Sequence, residues 1–552
     1  MTIKYKLLAV LASALCWSSC DILDEYPQTG PSNENFFSSE AELTLAINAA
    51  YSSFYWLSNQ DVQYQLFLDG ATEMVYIRGA YANMNVIQAG QANAQTGVFA
   101  TVWAHFYEKI ALSNNILDKM SAAKNKVSEQ FYNRIEAQAR FLRAFNYMYL
   151  VFLYGDVPYV DHMLDWQNCK LPKTKASEII GHIYDDLDFA YRNLPPSWSA
   201  AEAGHITSGA AMGLKARIAL YAGDYELAAA CAGQVIKDGG YDINPTYADL
   251  FAHTGEGSPE VMLAARYLTG VKINANPKYI GTRLSNGYSV IVPTQTLIDT
   301  YRCTDGKRID QSSLYNPKSP YQNRDPRLDY SIIRPGSWHN NFKFEIHPDS
   351  TKTSAIINGK LTRIGNTEVT NAYGSFTGYV SRKYFDETDL PDYISKSELH
   401  FILLRYAEIL LTYAEAKIEL GQIDQTVIDA INDVRQRPDV KMPAARLDMS
   451  QEELRDIVRY ERTVEFAMEG LRLFDIRRWK IAEHVLPGKL LGKRTKEHWY
   501  DPVVPTFNEY GKPVYPDESI FNSLGSLTFD PKNDYLWPIP QSEIDKNPLL
   551  AE

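Results

Sequence analysis

Apolar residues recur at intervals of three and four in Ala137, Phe141, Ala144, Met148 and Val151, and again in Leu403, Ala407, Leu410 and Ala414. This is the spacing of helices that bury one stripe against neighbours. Between them, residues 207–236 place small side chains where two helices must approach closely, with Gly223-Asp224 at the turn. Residues 136–194 and 403–436 predict two looser helix pairs, the second broken at Gly421 and stopped by Pro438. Trp103 stands in another helically spaced run that reaches Leu117, and Trp103, Trp479 and Trp537 are assigned to the scaffold.

The 207–236 hairpin is similar to one tetratricopeptide (TPR) unit. Helix pairs at uneven intervals predict a mostly α, TPR-like scaffold whose repeats are interrupted by insertions. From Tyr241 to Pro391 the helical period fades while Asn, Pro, Gly, Tyr and Thr rise, as expected of loops and short strands on a surface. Two further irregular stretches run over 69–95 and 487–533. The expected organisation is an N-terminal helical part over 41–240 with a loop insertion at 69–95, a loop-rich insertion over 241–400, and a C-terminal helical part with an irregular tail over 401–552.

The first residues follow a different logic. Lys4 and Lys6 precede an apolar run from Leu7 to Leu15 and the small residues before Cys20, the layout of a signal peptide over 1–19. Cleavage there would expose Cys20 for lipidation, leaving residues 20–40 as a tether; Trp17 stands where lipoprotein signals usually carry Leu. No other stretch nears the ~20 apolar residues of a membrane span. Cys169, Cys231 and Cys303 lack the spacing of a disulfide framework or a zinc site. A net charge of −12 disfavours nucleic acid and favours a neutral ligand. With 37 tyrosines and 9 tryptophans, the chain is rich in rings that pair an apolar face with a polar edge.

No catalytic signature stands out. There is no HExxH, GxSxG, phosphate-binding loop or dinucleotide fingerprint, and 67 acidic residues make any carboxylate pair unspecific. Neither metal ligands nor a cofactor is expected. Binding is better supported: Asp69, Glu73, Tyr76, Arg78, Tyr81, Asn83 and Asn85 set rings beside amide, carboxylate and guanidinium groups in one irregular stretch, a combination that grips a sugar by its face and its hydroxyls. The second irregular region offers Asn286, Tyr288, Tyr315, Tyr321, Trp338, His339 and Asn340. Trp338 draws notice because a tryptophan in a Pro-Gly-flanked loop has no helix face to fill.

Several blocks carry a family resemblance: Ile457 to Trp479, Ala139 to Leu150 running into Tyr154-Gly-Asp-Val-Pro158, Asn323 to Leu328, Leu404 to Leu411, Ile431 to Arg435, and Leu536 to Pro540. In content and order they resemble the SusD/RagB family of lipid-anchored nutrient-binding partners of TonB-dependent outer-membrane transporters. The resemblance implies a cell-surface lipoprotein, anchored through Cys20 in the outer membrane, that binds oligosaccharide without cleaving it and passes it to a SusC-like transporter. It also implies that ligand contacts come mainly from the first two irregular regions. Peptide capture, as in RagB-like proteins, is the alternative within the family; a glycoside hydrolase or a TPR scaffold for protein partners are the rivals outside it. The arginines of these blocks, among them Arg140, Arg143, Arg435, Arg462, Arg472, Arg477 and Arg478, are expected to brace the scaffold, several by pairing with acids three or four positions away on a helix and others by locking adjacent helices through bidentate pairing.

Overall fold

The computed structural model describes residues 36–58, 61–79, 81, 84–390 and 397–551; Cys20 and Asn83 lie outside these. Long helices dominate: Gly97–Lys119, Glu129–Tyr154, Ala176–Asn193, Ser208–Ala222, Tyr225–Asp238, Tyr406–Glu419, Gln425–Arg435 and Gln451–Glu465. Each of the first five packs on the next, Tyr225–Asp238 packs on Tyr406–Glu419, and that helix carries the last two. Repeats from the two ends of the sequence thus form one stack, with the intervening insertion on its side.

Local chemistry sets the boundaries. Glu129–Tyr154 is capped by the Ser128 side chain, buries the Ala137, Phe141, Ala144, Met148 and Val151 stripe, and ends at Gly155. Gly223 takes the left-handed conformation (φ 79°) and Asp224 caps the next helix, closing the hairpin that the sequence predicts. At Gly213 a Cβ would come 2.9 Å from Ile409, 3.1 Å from Met262 and 3.2 Å from Leu404, all side-chain ends, so the missing Cβ eases the approach of helix Ser208–Ala222 to the 404–409 segment.

One expectation is corrected. Leu403 does not begin the helix that carries Ala407, Leu410 and Ala414; it lies in strand Phe401–Arg405, paired antiparallel with Val261–Ala265, and the helix starts at Tyr406. All five strand residues are buried, and a short run buried on both sides carries no alternation to distinguish it from a helix. Other strands are short; a four-stranded sheet over 338–365 and the pair Gly488–Arg494 with Phe521–Leu527 are the larger ones.

The arginines do brace the scaffold, mostly between elements, as the bidentate expectation holds. Arg140 with Glu136 and Arg478 with Asp475 are pairs within one helix. Arg143 reaches Asp186, Arg435 reaches Glu461, Arg472 reaches Glu73 and Arg462 reaches Asp475. Among the described residues the Arg477 side chain donates only to the Asp534 carbonyl. At the centre, Arg327, Arg405, Arg435, Arg437 and Lys383 meet Glu260, Asp325, Glu461, Glu465 and Glu469, all buried. Although burial pushes the Glu465 carboxyl up, Arg437, Arg405 and Arg327 hold it far below the ordinary carboxylate range.

Asp69 belongs to this interior and not to a binding surface. It is 2% exposed, and Oδ2 accepts from the Gly470 amide at 3.0 Å. Burial pushes its carboxyl up to about 7. A free carboxylate titrates near about 4, so between those values the folded chain holds a proton that the unfolded chain has lost, and stability falls as pH rises through that window. Asp69→Asn keeps an oxygen for Gly470 and cannot ionise. Its melting temperature should exceed wild type at pH 8 and approach it near pH 4 in thermal scans; the same shift at both values would refute this.

Candidate functional site

Strand Val75–Ile77 pairs with Ile291–Pro293, Tyr76 opposite Val292, and the Arg78 amide donates to the Val290 carbonyl at 2.9 Å. This joins the first irregular region to the second. Next to it, residues 281–289 fold back on helix Asn276–Ile280: the amides of Tyr288 and Val290 donate to the carbonyls of Lys278 and Tyr279. The turn requires glycine at 287, where a Cβ would sit 2.4 Å from the Gly281 backbone.

The result is a row of three rings. Tyr81 meets Tyr279 edge-on at 5.7 Å, and Tyr279 meets Tyr288 likewise at 5.7 Å. Tyr279 is buried beneath its half-exposed neighbours. Cations flank the row: Lys278 lies 5.0 Å and Arg283 5.6 Å from the Tyr288 ring centre. Arg78 donates to the Tyr373 carbonyl at 2.8 Å and lies 4.8 Å over that ring, while Tyr76 stacks on Phe376. Burial lowers the Arg78 pKa, with the nearby Arg283 charge acting the same way. Rings with phenol edges beside fixed guanidinium donors suit a ligand that presents both flat apolar faces and hydroxyls.

Tyr76, Arg78, Tyr81 and Tyr288, all named from sequence, are brought together here. Asn85 sits with Tyr76 on a smaller cavity of about 240 Å³. Asn340 is used internally, its amide donating to Glu387 and its side chain to Ser285, which leans its hairpin on the loop that carries Tyr288. Trp338, in that hairpin, is 44% exposed. His339 is buried against Phe342 and Phe385, and burial drives its pKa down to about 3. Glu73 is taken by Arg472. Tyr315 stands elsewhere, on a cavity of about 740 Å³ shared with Tyr321. Sequence reasoning missed Tyr279, Lys278, Arg283 and Tyr373; Tyr373, in an Ala-Tyr-Gly-Ser loop, carries the same signal that singled out Trp338. Among the described residues no group of three or more acids, histidines or cysteines is placed to hold a metal ion, and no helix is long and apolar enough to cross a membrane.

The chain belongs to the SusD family, whose model matches residues 264–552; a second model, described as starch-binding associating with outer membrane, matches 21–220. It is 25% identical to SusD-like protein P2 of Formosa agariphila over 99% of this chain and 98% of that protein. Among solved structures, a SusD-like carbohydrate-binding protein from Bacteroides fragilis superposes with a TM-score of 0.81 at 27% identity, covering 94% of this chain and all of the other. A laminarin-binding SusD-like protein shares the fold with a TM-score of 0.68 at 18% identity, over 92% and 98% of the two chains.

Proposed function

We propose that the protein captures a saccharide on the row Tyr81, Tyr279 and Tyr288, oriented by Arg78 and the Tyr373 loop, and hands it unaltered to a SusC-like TonB-dependent transporter in the outer membrane. The observation that carries this is the meeting of the two irregular regions in one ring-and-guanidinium surface. Stacking against rigid rings costs little conformational entropy, and fixed donors select hydroxyl positions. Carbohydrate binding by the Bacteroides fragilis neighbour supports the ligand class. The assignment is tested by finding the bound glycan on a polysaccharide panel and then titrating Tyr288→Ala calorimetrically. Loss of a central aromatic anchor costs about 2 kcal/mol, roughly thirtyfold in affinity. Unchanged affinity would move the site, and displacement of the glycan by peptides would favour the RagB-like alternative.

Residence at the cell surface is proposed to depend on Cys20, since acyl chains would supply the membrane affinity that no described helix provides. Cys20→Ala should release the protein from outer-membrane fractions. Full retention would assign the anchoring to the transporter.

A further inference from the structure

The cavity of about 740 Å³ that Tyr315 lines is separate from the tyrosine row: Thr377 and Tyr379 face it, while Phe376 of the same segment stacks on Tyr76. Its floor is a closed polar network. The Tyr515 hydroxyl and the Gln295 amide donate to Asp299 at 2.7 and 2.8 Å, and Tyr379 donates to Gln295 at 2.8 Å. Burial pushes the Asp299 carboxyl up to about 6. At the rim Trp499 and Tyr500 pack on His347, and Tyr500, stacked at 5.6 Å, is 79% exposed.

The charges of this cavity do not balance. Lys318, Arg324, Arg334, Lys493 and Arg494 line it against Asp299 and Asp501. Arg334 is paired with Asp329, Arg324 is spent on the carbonyls of Ile298, Tyr301 and Pro320, and Asp501 is taken by His498. Lys318, Lys493 and Arg494 make no ion pair with a carboxylate among the described residues; Arg494 donates to the Asp501 carbonyl, and its charge acts on the buried Asp299 without a hydrogen bond to it. Glu368, the acid whose charge acts on Lys493, accepts from the Leu284 amide, and burial pushes it up to about 7. In a chain of net charge −12, unpaired cations gathered in an aromatic-rimmed cavity need a cause. An anionic ligand group supplies one, because a charge-assisted bond to a guanidinium or ammonium is about twice as strong as a neutral one.

We propose that this cavity is a second saccharide site that takes an acidic sugar, whose carboxylate or sulfate pairs with Lys493 and Arg494 while its ring face lies on Tyr500. This rests on the glycan-binding reading above and narrows its ligand class, against the neutral ligand that the overall charge suggests. The test is calorimetry on the mature full-length protein with three probes: a tetragalacturonide, a sulfated galactan tetrasaccharide and neutral laminaritetraose. At least one acidic probe should bind, and more weakly as salt rises. Lys493→Gln and Arg494→Gln, accepted only with wild-type melting temperatures, should each weaken that probe about tenfold or more. Tyr500→Ala, at an exposed position, should weaken it as well, and this keeps the test open if either charge variant fails to fold. Failure of both acidic probes to bind would overturn the proposal. So would binding that Lys493→Gln, Arg494→Gln and Tyr500→Ala leave intact. The tyrosine-row reading is judged separately, by Tyr288→Ala on the panel glycan.

Discussion

Arg405→Met should destabilise the protein by about 3–5 kcal/mol, the usual cost of removing one partner from a buried charge cluster. Arg405 donates to Glu260, Glu465 and Glu469 at 2.7, 2.8 and 2.8 Å, and all three carboxylates are buried. Without it the cluster holds an extra negative charge in a dry interior, so one carboxyl must take up a proton or the helices must part. Arg446→Ala provides the contrast. Its pair with Asp448 is exposed on both sides, and its loss should stay within about 0.5 kcal/mol. Chemical denaturation measures both; an Arg405→Met midpoint near wild type would show that the cluster relaxes around the loss.

Trp56→Ala should cost a similar ~3–5 kcal/mol, because a fully buried indole leaves a cavity that its neighbours only partly fill. Trp56 is 1% exposed, stacks on Tyr64 at 5.1 Å and contacts Phe106 at 4.7 Å and Tyr149 at 4.9 Å. Trp338→Ala, removing an indole already 44% exposed, should leave the melting temperature nearly unchanged. Equal losses in the two variants would mean that the 338–365 sheet is integral to the core.

The scaffold was legible because helical period is a local signal: the Ala137 to Val151 stripe and the Gly223 turn each declare themselves within a few residues. Partners far apart in sequence do not. The arginine-rich blocks pointed to bracing, yet nothing local joins Arg327 to Glu465 or Arg437 to Glu260. In the irregular regions the limit is different. Asp69, Arg78 and Asn340 share the same polar, ring-rich surroundings in sequence, but one is buried against Gly470, one holds the Tyr373 loop and one pins a hairpin. Without a repeating period, the inward or outward direction of a side chain is not encoded locally. Composition therefore found Tyr81 and Tyr288 but not the buried Tyr279 that joins them. Trp479, placed in the scaffold from sequence, does belong there, though half-buried: its indole donates to Glu415 at 2.6 Å and arginines 459 and 478 lie over its ring.

The last residues of the chain close contacts with some of the first. The Trp537 amide donates to the Leu153 carbonyl, Gln541 to Ala94, and the Asn547 side chain to Leu171. Glu260 and Arg327 likewise find ion-pair partners after residue 400, in Arg405 and Glu461. These contacts close loops of hundreds of residues, so although the N-terminal helices pack on one another, their last carbonyl partners are supplied only when the C-terminal segment docks.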